Sequence, residues 1–156
     1  MPITHPTLRL RPILTIFVAA FLTPMLAHAE SSKELAVRGK RTWSAFECST
    51  LAELAGNREL HEKLFMLGVE EGRAFLKAFK EGKIDPEDVR SEVPMIVLLS
   101  LGGPSDDFRL GRIFESARQG ISESIYRNDG TQSDEEVRIL AQRELDRRNC
   151  ALLLRQ

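Results

Sequence analysis

Apolar residues recur along most of this chain at spacings of three and four, the period of an α-helix. Trp43, Phe46, Thr50, Leu51 and Leu54 form the first such stripe and predict a helix from about Lys33 to Ala55. Gly56-Asn57 is its stop, and Gly39 is expected to fray its first half. A second helix runs from about Arg58 to Glu81. Leu60, Leu64, Leu67, Phe75 and Ala78 lie on one face, and Phe65, Val69, Leu76 and Phe79 on the next. So wide a stripe predicts a central helix. Gly68 and Gly72 sit one turn apart inside it. Glycine costs about 1 kcal/mol in a helix interior, so the pair points to a neighbouring helix at close range.

Punctuation divides the rest. Asp85-Pro86-Glu87-Asp88 opens a helix that Pro94 cuts short, with Asp85 as its expected cap. Residues 95–101, MIVLLSL, run to Gly102-Gly103-Pro104 and suit a buried strand or a buried helix; a short buried helix is favoured because no other segment offers a strand partner. Ser105 caps a fifth helix whose inward face carries Leu110, Ile113, Phe114, Ala117, Ile121 and Ile125, and Asn128-Asp129-Gly130 breaks it. Ser133 and Glu136 form a capping box for the last helix, with Val137, Leu140, Ala141, Leu145 and Leu152 inward. The expected fold is all-α, a single compact bundle of five to six helices.

The first 29 residues change the setting. Arg9 and Arg11 precede an apolar run from Ile13 to Leu26 that ends in Ala27-His28-Ala29. That is the build of a signal peptide cleaved after Ala29. The run is too short and too interrupted for a spanning helix. Residues 30–156 are then expected to form one helical domain in an oxidising space, with no stable membrane insertion. There, Cys48 and Cys150, the only two cysteines, are expected to pair as a structural disulfide closing a ring of about 100 residues. The chain has 22 basic and 23 acidic residues, and loss of Arg9 and Arg11 leaves it slightly more acidic. That balance gives no electrostatic reason to expect nucleic acid as a partner.

Candidate chemistry is sparse. His61 is the only histidine beyond Ala29, and Glu59 and Glu62 around it predict a solvated helix face. No His, Cys or carboxylate spacing suits a metal, no serine stands in a strained glycine turn, and no cofactor is implied. Glu71 falls between Leu67 and Phe75 on an apolar face. It reads first as a buried ion pair, with Arg73, Arg109 or Arg112 among its candidate partners, and otherwise as a general acid. Trp43 and Phe46 are expected to pack over the disulfide. Asp106, Asp107, Arg109 and Arg112 make a charged patch after a Gly-Gly-Pro loop, either a solvated face or a partner surface.

The stretches WSAFECS, GPSDDFRLGRIFESA and NCALL resemble a family of small exported helical proteins of Gram-negative bacteria that has no assigned activity. The resemblance implies a periplasmic location, a helical domain and the Cys48–Cys150 bridge, and it carries over no catalytic residue. In size, compartment and single disulfide the chain is also similar to the immunity proteins of type VI secretion and to periplasmic acid-stress chaperones. The leading expectation is a non-enzymatic, periplasmic protein-binding module, immunity- or inhibitor-like. The alternatives are a cell-wall hydrolase working through Glu71 and an acid-stress chaperone.

Overall fold

A computed structural model describes residue 1 and residues 30–126 and 132–155. The signal-peptide segment and the expected break at Asn128-Asp129-Gly130 lie outside the described residues. Among the described residues six α-helices follow one another: α1 (Ser32–Leu54), α2 (Arg58–Lys80), α3 (Pro86–Glu92), α4 (Met95–Leu99), α5 (Asp106–Ile125) and α6 (Asp134–Arg147). A 3-10 helix, Cys150–Arg155, follows them. Among the described residues there is no strand, so the ambiguous apolar run is helical over Met95–Leu99.

Two helix starts have the caps that the sequence predicts: Ser133 with Glu136 forms a capping box, and Ser105 accepts a backbone N–H with its side chain. Ser31 with Glu34 forms a second capping box, and Asn57, expected only as part of a helix stop, caps α2. Asp85 is an exception. Its side chain makes no capping bond, and its backbone N–H donates to Ser32 Oγ at 2.7 Å. The Ser32 hydroxyl in turn donates to Asp88, so α3 is tied to the start of α1. Gly39 also departs from expectation, because α1 runs through it unbroken. A Cβ there would lie 3.1 Å from the Phe75 ring, so the missing side chain admits α2.

α1, not α2, is the central element. It packs against α2, α3, α5, α6 and the 3-10 helix, whereas α2 keeps Met66 and Phe79 exposed. The buried residues of α1 include Ala36, Gly39, Thr42, Ala45, Ser49 and Ala52. Small side chains let several helices approach one backbone, and they give a weak apolar signal for that same reason. Gly68 and Gly72 serve close approach as expected: a Cβ at Gly68 would run into the Phe46 ring, and one at Gly72 into Leu110 and Thr42.

The core has two parts. One gathers Phe46, Phe75, Leu76, Val93, Val97 and Ile113 with their neighbours from α1 to α5. The other gathers Leu51, Leu64, Ile121, Val137, Leu145 and the two cysteines. Cys48 and Cys150 are bonded, with Cα atoms 5.6 Å apart and both residues buried. Trp43 and Phe46 belong to the first part, so they do not pack over the disulfide. The expected last helix is also shorter. α6 ends at Arg147, Asn149 takes φ +53, and the chain tightens into a 3-10 turn. That phase change turns Leu153 inward and leaves Leu152 exposed.

Candidate functional site

Glu71 is buried, at 6% exposure, and is held by α1. Arg38 Nη1 donates to its Oε2 at 2.8 Å, and Arg41 Nη2 lies 3.3 Å from its Oε1. The partners are therefore Arg38 and Arg41 rather than Arg73, Arg109 or Arg112. Those three sit on α2 and α5, while Glu71 points towards α1. Arg38 also donates to Glu30, through Nε at 3.1 Å and Nη2 at 2.6 Å. The hydrogen bond with Glu30, and then the charge of Glu71, raise the Arg38 guanidinium above its ordinary pKa against the cost of burial. The Glu30–Arg38–Glu71–Arg41 chain joins the first described residues of the domain to α1 and α2. Both oxygens of Glu71 face guanidinium groups.

His61 is half-buried rather than solvated. Its Nδ1 lies 3.0 Å from Ser49 Oγ and 3.0 Å from the Ser49 carbonyl oxygen, and its ring stacks on Phe65. Ser49 is fully buried, so no substrate reaches its hydroxyl. The pair ties α1 to α2. Sequence reasoning missed it because the two residues face each other only after the Gly56-Asn57 turn folds one helix against the other. Among the described residues no group of three or more His, Cys, Asp or Glu is placed to hold a metal ion.

The charged patch at the start of α5 is turned largely onto the chain itself. Arg109 donates from Nε to the Leu101 carbonyl at 2.7 Å, from Nη2 to Gly103 at 2.8 Å and from Nη1 to Asp106 at 2.9 Å. Arg112 donates to the carbonyl of Gly102 at 2.8 Å and that of Leu99 at 3.4 Å. Two arginines thus gather the carbonyls that α4 and its following loop leave open. Asp106 accepts from Lys80 at 2.6 Å. That bond, with Arg109 adding to it, holds the Asp106 carboxyl below its ordinary pKa. Asp107 pairs with Arg73 at 3.1 Å, both well exposed.

The clamp presents apolar surface. α4 is the expected helix, but it is not buried: Val97 alone is buried within it, while Met95 and Leu99 are 69% and 65% exposed and Ile96 is 37% exposed. A helix of five residues, set between Pro94 and the Gly102-Gly103 pair, turns only one side to the core. Phe108, half exposed, leans over Gly103, where a Cβ would strike its ring. Beside it, α2 and α5 enclose a groove of about 380 Å³. Phe65 and Phe114 floor it, with ring centroids 5.2 Å apart and edge to face, and Phe46 lies beneath. Val69, Leu110 and Gly111 wall it, and the Arg73–Asp107 pair crosses one end. The structure therefore joins Asp106 to Arg109, sets Asp107 at the groove and turns Arg112 to the α4 side of α5. The sequence signal for the apolar face is MIVLL cut off by Gly-Gly-Pro.

The described residues include no helix long and apolar enough to cross a membrane, and the disulfide fits a non-cytoplasmic location. No protein-family model, curated protein or solved structure matches this chain.

Proposed function

We propose that this chain is a periplasmic, non-enzymatic module that binds another protein through the face built by α4 and the first turns of α5. The observation that carries the reading is the exposure of Met95, Ile96 and Leu99 on α4 and of Phe108 at the start of α5, with Arg109 and Arg112 tying the loop between the two helices to α5. A clustered apolar patch on a soluble domain marks an interaction site more often than scattered apolar residues do. A rigid mount lowers the ordering cost of binding. An inhibitor or immunity role is the concrete form, since such a protein acts by occlusion and needs no reacting group. The inward placement of Ser49 and Glu71 supports reading both as structural. Arg9 and Arg11, the apolar run and Ala27-His28-Ala29 support export, and WSAFECS and NCALL support kinship with the small exported helical proteins.

A photoreactive amino acid placed at Leu99 in living cells tests this. The expected result is one discrete adduct with another envelope protein, lost on Phe108→Asp while the circular dichroism spectrum is unchanged. A smear of adducts, or a discrete adduct indifferent to Phe108→Asp, overturns it.

A further inference from the structure

We propose that this face also binds a second copy of the chain, the α4 patch of each copy seating in the α2–α5 groove of the other. The inference rests on the α4–α5 face being a protein-binding surface, and four observations extend it to this occupant.

The first is placement around α5. At 100° per residue, Leu110, Phe114 and Asp107 lie on the flank facing α2, and Phe108 and Arg112 on the flank facing α4. Gly111 sits on the ridge between them, 60° round from Phe108. The second is Gly111 itself. A Cβ there would meet nothing within 4 Å, so nothing inside the fold requires a glycine, and the helix bears a cost of about 1 kcal/mol for it. Gly39, Gly68 and Gly72 are each pressed against a neighbour, whereas Gly111 and Gly120 of α5 are both open, and of these two Gly111 alone lines the groove. What Gly111 leaves free is outward space: it opens the groove and lets a second backbone approach the ridge.

The third observation is shape. A closed two-fold interface needs a self-complementary surface, in which one region of each copy fits a different region of the other. Here a projecting apolar patch and an apolar groove flank a single ridge. A two-fold axis running along α5 over Gly111 exchanges the flanks, so both insertions form at once. The groove is open along its length and adjoins a second hollow of about 720 Å³ along α2 that shares Met66, Val69 and Arg73 with it. An extended partner suits that surface better than a small molecule. The fourth is charge. Of the charges that rim the two hollows, Glu62, Lys63, and Asp107 with Arg73 are already paired, which leaves Glu70 as a rim carboxylate with no ion-pair partner among the described residues. Arg112, on the projecting side, has no carboxylate partner among the described residues.

Sedimentation velocity on the exported, oxidised protein, run over a concentration series, tests the proposal. The wild type is expected to form dimers. Met66→Arg, which fills the groove from α2, and Leu99→Asp, which spoils the projection, each raise the dimer dissociation constant at least about tenfold with unchanged helicity. An equimolar mixture of the two variants recovers dimers, because one insertion is intact in the mixed pair and neither is in the parent pairs. A wild type that stays monomeric, a dimer insensitive to both variants, or a mixture that stays as weak as its parents overturns the inference. A monomer whose Leu99 photoadduct is a different protein removes the second copy and leaves the protein-binding reading standing. A monomer without any discrete adduct removes both.

Discussion

Gly72 on α2 and Gly120 on α5 are the same residue type in helix interiors, yet they predict opposite responses to a methyl group. At Gly72 the new carbon runs into Leu110 and Thr42, so Gly72→Ala forces α5 or α1 to shift and costs about 1–3 kcal/mol. At Gly120 it meets nothing within 4 Å, so Gly120→Ala gains helix propensity and adds up to about 1 kcal/mol. Urea unfolding of the two variants checks both signs; a gain at Gly72 or a loss at Gly120 contradicts the packing described. Glu71 and His61 follow a similar logic. Each looks like candidate chemistry as an isolated letter. In the fold each is a strut between α1 and α2, one to Arg38 and Arg41, the other to Ser49.

At the scale of elements, α4 is the weakest by itself and the most dependent on its neighbours. Five residues make little more than one helical turn, well short of an independently stable helix. It is held by Val97 in the core and by the two arginines on its C-terminal side. The same junction carries a pH response. Lys80 first, then Arg109, holds Asp106 below its ordinary pKa in the folded state. The unfolded chain therefore takes up that proton at a higher pH than the folded one. The stabilisation is complete above the ordinary carboxylate range and is lost as pH falls through the lower folded value. Glu144, held down by Arg147 and then Arg148 in α6, acts in the same direction. Unfolding free energy measured from pH 6 to pH 2 is expected to fall. It should fall less steeply in Asp106→Asn; identical slopes in the two proteins would remove Asp106 from the account.

At the scale of the whole molecule, the two-part core sets what the disulfide does. Cys48–Cys150 closes a separation of 102 residues, and chain-entropy arguments give such a ring about 4–5 kcal/mol. The bond lies in the part of the core that holds α6, and the Arg148–Glu47 pair at 3.0 Å also links α6 to α1. Replacing both cysteines by alanine is expected to cost about 2–5 kcal/mol. Hydrogen exchange should rise first in α6 and the 3-10 helix, while the Phe46–Phe75–Ile113 part keeps its protection. Uniform loss of protection along the chain would mean that the two parts unfold as one.

How much of this was legible beforehand follows from what acts locally. Helix identity was legible in the three-and-four spacing and in the Ser105 and Ser133 starts, because caps and periodicity are settled within one or two turns. The disulfide was legible because two cysteines in a chain that reads as exported have few other expected fates. The hub was not legible. α1 announces itself weakly, its contact residues being alanine, serine, threonine and glycine, and their smallness matters only once other helices press on them. The partners of Glu71, the tie between Ser49 and His61 and the exposure of α4 were equally hidden. Each depends on which helix lies across the way, at separations of 12 to 33 residues for the hydrogen-bonded pairs. Sequence alone determined what each segment becomes, because backbone propensity and capping are short-ranged. Only the tertiary arrangement decided which side chains meet and which apolar ones are left facing water, because burial belongs to the assembled packing and to no single segment.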